Sequence, residues 1–160
     1  METENKSEIK NNNPYRNKVH KILAHSYIVY FVALLFGIIF NMIFGIKVFA
    51  SPAIIPAIIL LLLGSILILW AQYTSAHLET MNITKKTFCH GPYRFTRTPT
   101  NFGLFFMMLG FGLILNTLSI IIFIFISFFV AKFVFLREQE KILALKYGAP
   151  YLEYKKSVKF

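Results

Sequence analysis

Two stretches of this sequence set charged, aromatic and hydroxyl side chains at spacings that could do chemistry. The first is Gly91-Pro92-Tyr93-Arg94-Phe95-Thr96-Arg97-Thr98-Pro99-Thr100-Asn101-Phe102-Gly103. Gly91-Pro92 forces a turn, and Thr98 followed by Pro99 reads as a helix N-cap with proline at the first helical position. Taken plainly, this is a well-capped helix with two interfacial arginines. Taken as a site, the helix N-terminus, its exposed amides and Arg97 form an anion-binding corner beside an apolar wall, and Tyr93 and Phe95 offer ring faces to a base or a cation. The second stretch is Arg137-Glu138-Gln139-Glu140, followed by Leu143, Tyr147-Gly148, Tyr151, Tyr154 and Val158. Its plain reading is an exposed helix in which Arg137/Glu140 and Glu138/Lys141 pairs are worth about 0.2–0.5 kcal/mol each. Its functional reading puts carboxylates at a membrane surface, turned toward a cationic ligand. Neither stretch is decisive alone.

The elements that must position them are membrane helices. Of 160 residues, 56% are hydrophobic and only 15% charged, well above the apolar share of soluble domains. The charge is 17 Lys and Arg against 7 Asp and Glu, and it flanks apolar runs instead of decorating a soluble core, which disfavours a nucleic-acid binder. A single cysteine, Cys89, excludes an intrachain disulfide, and no Cys/His cluster at ligand spacing suggests a metal site.

Residues 1–21 read as a polar tail and 22–160 as one membrane domain. Spans are expected at 22–46 and 53–73, the second leaving the membrane at Trp70, Gln72 and Tyr73. The apolar run from Phe102 to Leu136 would make a helix of about 52 Å, too long for a hydrocarbon core of about 30 Å. It must fold back at Asn116-Thr117, giving spans at 99–115 and 118–136. Gly103, Gly110 and Gly112 permit close helix approach, while the many phenylalanines supply packing bulk. Beyond Leu136 an amphipathic helix runs until Gly148 and Pro150 stop it, and this last helix is expected to fold back on the 74–98 loop. Five Lys or Arg precede the first span, four lie in the 74–98 loop and six follow Leu136, so both termini and that loop are expected in the cytoplasm. The expected fold is all-α: about four transmembrane helices, the last two a tight hairpin, with site elements at 85–103 and 137–158 on one side.

In this order around a hairpin, the two stretches resemble the membrane-integral isoprenylcysteine carboxyl methyltransferase and phospholipid N-methyltransferase superfamily. Its hallmark is G-[PV]-Y-x-x-x-R-H-P-x-Y-x-G, a hairpin, then E-E-x-x-L-x-x-x-[FY]-G-x-x-Y-x-x-Y-x-x-x-V. Gly91, Tyr93, Arg97, Pro99 and Gly103 match the first part; Glu140, Leu143, Tyr147, Gly148, Tyr151, Tyr154 and Val158 match the second. Thr98 stands where the family has His, Asn101 where it has Tyr, and Gln139 where it has the first Glu.

The resemblance implies an S-adenosylmethionine-dependent methyltransferase whose lipophilic acceptor, isoprenylcysteine-like or phospholipid-like, enters from the bilayer. It places the cofactor against Gly91, Tyr93, Arg97, Thr98, Pro99, Thr100, Asn101, Gly103, Gln139 and Glu140, and the reacting centre at Arg137 and Glu140. Tyr93 packs on the nucleoside and Glu140 offsets the sulfonium charge, with Glu138 or Glu140 making up for the charge that Gln139 lacks. A carboxylate acceptor needs no base, whereas an amine must first lose a proton, for which His77 or His90 are the nearby candidates. The alternatives are a catalytically silent module of the same fold and an NADPH-dependent reductase of the sterol-reductase type. Reductases of that type are usually much longer, with more spans.

Overall fold

The computed structural model describes residues 14–76 and 84–158. Among these every regular element is helical and no strand forms. Helix α1 (Pro14–Phe44) is followed by α2 (Ile54–Ala76), a single turn α3 (Lys85–Phe88) and a 3-10 turn (Gly91–Arg94). Then come α4 (Pro99–Ile114), α5 (Leu118–Val130), a π-turn (Ala131–Phe135), α6 (Leu136–Tyr147) and α7 (Ala149–Ser157). Three helical stretches are long and apolar enough to cross a membrane, Ala24–Phe44, Ile54–Ser75 and Leu118–Tyr147, and Pro99–Ile114 is a shorter apolar helix. Large apolar side chains such as Ile28, Phe36, Met42, Ile55, Leu62 and Phe133 point outward, a surface that lipid must cover.

Helices α2 and α4 make the most extensive pairing in the molecule. Small residues allow it. A Cβ added at Gly110 would stand 2.8 Å from the Ala57 carbonyl, and one at Gly103 2.8 Å from that of Gly64, so the two backbones nearly touch. Gly112 faces Ile120 and Ile121 inside the hairpin. Across the same hairpin, Phe105 meets Phe128 with ring centroids 4.7 Å apart and Phe125 at 5.2 Å, edge-on. The density of phenylalanine is therefore used for packing and for lipid contact.

The hairpin turns at Asn116, whose φ of +52° falls in the left-handed region that asparagine tolerates. Its side chain also clasps the loop between α1 and α2: Nδ2 donates to the Phe49 carbonyl at 2.8 Å, and Oδ1 accepts the Phe49 N–H at 2.9 Å. Lys47 and Thr117 form an antiparallel bridge beside it. This clasp ties both far-side loops together.

The other end of the bundle differs from expectation in two ways. Helix α5 does not stop at Leu136. The π-turn, closed by Leu136 N–H on the Ala131 carbonyl five residues back, carries it without interruption into α6. From Leu118 to Tyr147 the chain is one rod of 30 residues, about 45 Å, which overshoots the hydrocarbon core by roughly 15 Å. The element that folds back on the 74–98 region is instead α7, which packs on α3 after the sharp corner at Gly148, φ +61° and ψ −136°. Helix α4 is short in compensation. Its 16 residues reach about 24 Å, less than the roughly 30 Å of a hydrocarbon core.

Candidate active site

The two chemical stretches meet where α4 begins. Pro99 is fully buried at the first helical position, as its missing N–H and fixed φ favour. Thr98 occupies the N-cap, but its hydroxyl makes no capping bond, contrary to the sequence expectation. Its carbonyl instead accepts the Asn101 and Phe102 amides at 3.1 and 3.2 Å, and the N–H donates to the Thr96 hydroxyl at 3.3 Å. Proline supplies no amide, so the first N–H available at this helix end is that of Thr100.

Arg97, just before the helix, donates from Nη1 to Glu140 Oε1 across 43 residues of sequence. The other carboxylate oxygen takes Lys155 Nζ at 2.7 Å. Glu140 is 8% exposed, so a nearly buried carboxylate is bracketed by two cations from α4's approach and α7. The trio carries one net positive charge. Such an arrangement fixes the guanidinium in place while leaving the corner attractive to an anion. One residue earlier on α6, Gln139 is 7% exposed, and among the described residues its Nε2 donor has no partner. A buried donor left unpaired costs about 1–3 kcal/mol, which a ligand's acceptor atom would recover.

Aromatic rings build the wall. Phe88 lies at the centre of three tyrosines, with centroids 5.1 Å from Tyr147 and 5.6 Å from both Tyr151 and Tyr154. Tyr154 Oη donates to the Tyr93 carbonyl at 2.8 Å, which latches α7 onto the 3-10 turn. The Tyr93 phenol is hydrogen-bonded to Ser75 and Thr100, and burial pushes it above its ordinary pKa. Burial, reinforced by the Glu140 charge, pushes Tyr151 up further still, so both phenols stay protonated. Gly91, at φ +56°, lets the turn press on Thr74 and Trp70 of α2.

The structure thus brings together Gly91, Tyr93, Arg97, Thr98, Pro99, Thr100 and Glu140, while Gln139 is buried one residue before Glu140 on α6. It gives Asn101 and Gly103 other work: Asn101 Oδ1 accepts the Ser26 hydroxyl of α1 at 3.0 Å in the buried interior, and Gly103 packs on α2. Arg137 is not joined to Glu140; its guanidinium lies over the exposed Phe133 ring, 5.8 Å from the centroid. Glu138 points away as well, since two residues on a helix are about 160° apart, and it lines a cavity against α1. His90 is exposed, with Nδ1 3.3 Å from the Thr87 carbonyl, and His77 lies outside the described residues. Lys155 and Phe88 were not anticipated. Lys155 sits one turn beyond Tyr151, and that i, i+4 spacing was the only sequence signal for it.

Residues 52–150 match the family model described as phospholipid methyltransferase. The chain belongs to that family. It is therefore a membrane methyltransferase, within the membrane-integral isoprenylcysteine and phospholipid methyltransferase superfamily. No curated protein and no solved structure matches it. The matched segment of this methyltransferase runs from α2 to the start of α7, so both halves of the Arg97–Glu140 pair lie inside it, while α1 and Lys155 lie outside.

Proposed function

We propose that this membrane methyltransferase takes its methyl group from S-adenosylmethionine and delivers it to a lipophilic acceptor, isoprenylcysteine-like or phospholipid-like, that arrives through the bilayer. The observation that carries the reading is the net-positive Arg97–Glu140–Lys155 cluster, with the orphaned Gln139 donor one residue from Glu140 in the chain. These residues fit the donor's amino-acid portion: Arg97 and Lys155 would hold its carboxylate, and Gln139 Nε2 would satisfy an acceptor atom. Tyr93 and Thr100, already hydrogen-bonded to each other, would line the nucleoside side. When bound, S-adenosylmethionine supplies an electrophilic methyl group on a sulfonium. The chain's task is then to position and to exclude water.

Glu140 is spent on two cations, so its role in this proposal is to orient Arg97, and the sulfonium charge is not its target. Gln139 likewise acts as a donor. Arg137, at the membrane surface over Phe133, would face an acceptor coming from the lipid side. The site end of the bundle faces the cytoplasm in this reading, supported by the basic residues gathered there. Fast reaction of Cys89 with an impermeant thiol reagent applied outside intact cells would reverse that assignment.

Calorimetric titration of the purified protein with S-adenosylmethionine and with NADPH tests the donor. Saturable binding of the first alone is expected. Binding of NADPH alone would make the chain a reductase, and binding of neither a silent member of the family, the outcome to which Thr98 and Gln139 would then point.

A further inference from the structure

A second cluster of charged groups lies on the opposite side of α6 from Glu140. Here α1 runs alongside α5 and α6, and the seam between them holds two cavities. One, of about 280 Å³, is lined by Lys21, Ile22, His25, Phe135, Glu138 and Ile142. The other, of about 290 Å³, continues down the seam between Val29 and Phe36 of α1 and Phe123 and Val130 of α5, with an apolar lining. Both follow the same faces of the two helices, at three- and four-residue steps. From Glu138 to Phe123 the groove runs about 22 Å along the rod, deeper than the roughly 15 Å of one leaflet's hydrocarbon.

The mouth has a definite electrostatic pattern. Lys21 and Glu138 face the same cavity from two helices, yet neither takes part in the ion pairs formed among the described residues. His25 donates from Nδ1 to the Lys21 carbonyl at 2.7 Å, which leaves its Nε2 uncommitted. One cation and one anion held apart at the head of a long apolar groove match one class of molecule: an amphiphile whose headgroup carries a phosphate and an ammonium. An anionic lipid would set its phosphate against Glu138 without return, and a detergent-like single charge would leave one side chain unmet.

We propose that this seam holds a zwitterionic phospholipid as a resident, non-reacting ligand. Lys21 meets its phosphate, Glu138 its ammonium, and an acyl chain fills the groove between α1 and α5. The site is separate from the Arg97 cluster because Glu138 and Glu140 project to opposite faces of α6, and the lipid would cement α1, which lies outside the family-matched segment, to the rest of the bundle.

The test uses the full chain in nanodiscs of equal parts dioleoylphosphatidylcholine and dioleoylphosphatidylglycerol, followed by extraction and native mass spectrometry of the lipid that stays bound. The parent should retain the choline lipid with up to about fivefold enrichment, the scale of one interfacial ion pair, because both lipids bring the phosphate and only the choline lipid brings the ammonium that Glu138 meets. Glu138→Lys should turn the preference toward the glycerol lipid, and Val29→Trp, which fills the groove without touching the charges, should lower retention of both. S-adenosylmethionine affinity, measured on the same preparations, should stay at the parental value. Equal retention by the parent, an anionic preference in the parent, or a Glu138→Lys protein of normal helicity with unchanged preference would overturn the proposal. Loss of cofactor binding in both variants would overturn its non-reacting character.

Discussion

Replacing Glu140 by glutamine tests the centre of the candidate site directly. The carboxylate is almost buried and neutralises Arg97, whose side chain is 15% exposed, and Lys155, which is 43% exposed. Removing one partner from a fully buried pair costs about 3–5 kcal/mol, because an uncompensated charge is left behind. Lys155 can turn to solvent and contributes little, as exposed ions do. Arg97 cannot escape as easily, and the glutamine oxygen still accepts one hydrogen bond. The expected loss is therefore about 2–3 kcal/mol, between the two limits. For a chain of this length that lowers the melting temperature in detergent by roughly 5–10 °C. Calorimetry on the same variant separates the two roles open to the carboxylate. If Glu140 orients Arg97, affinity for S-adenosylmethionine and for its neutral demethylated product should fall by the same factor. If it faces the sulfonium, only the cationic ligand should weaken. An unchanged melting temperature, or a selective loss of the cation, would refute the orienting role of Glu140.

Three further outcomes follow from the geometry. Gly148→Ala meets no neighbour within 4 Å, so its cost is conformational, about 1–3 kcal/mol for a side chain forced into φ +61°, and it should show as faster proteolysis within α7 with the transmembrane helices intact. Asn116→Leu removes both side-chain bonds to Phe49 and forces a leucine into φ +52°; a loss of about 2–4 kcal/mol is expected in thermal unfolding, and an unaltered transition would mean that the clasp does not hold the far-side loops. The phenols of Tyr93, Tyr151 and Tyr154 are all raised by burial, so they bind their protons more tightly in the folded chain than in the unfolded one. The stability they give is complete below pH 10 and is lost as pH rises through their folded values. Tyrosinate absorbance should thus appear late and together with release of α7, and phenols that titrate near pH 10 while α7 stays docked would contradict this.

Much of the fold was legible because it depends on local rules. The excess length of the third apolar run required a turn, and Asn116 was the residue able to make it. The glycines of α4 announced a close neighbour, although Gly64 and Ala57, which receive them, carry no mark in the sequence. The site was legible only where its residues fall in the two motif stretches. Arg97 and Glu140 could be joined by resemblance, but spacing alone cannot pair residues 43 apart. Lys155 was invisible because its approach to Glu140 depends on the turn at Gly148. Glu138 and Glu140 could not be told apart until the phase of α6 was known, since adjacent alternates on a helix face opposite ways.

That phase is set by the π-turn, and no feature of the apolar run Ala131–Phe135 foretells it. A π-turn fits one extra residue into a helix turn, so everything after it is rotated by roughly 100° from where a regular α-helix would place it. Carried straight on from α5, a regular helix would point position 139, the family's Glu and here Gln, in the direction that Glu140 now takes. The turn thus decides which of the two residues reaches Arg97. Deleting Val134, half-exposed toward lipid, should let Ala131–Phe135 relax to α-helix while α6 keeps its present phase, because the extra residue and the extra turn width vanish together. The Arg97–Glu140 pair should survive, and cofactor affinity should change by less than about threefold, under 1 kcal/mol. Deleting Ile122 from α5, equally lipid-facing but in regular α-helix, should instead rotate α6 by the full residue step, break the pair and abolish binding. If both deletions were equally damaging with helicity preserved, the π-turn would have no part in aiming Glu140.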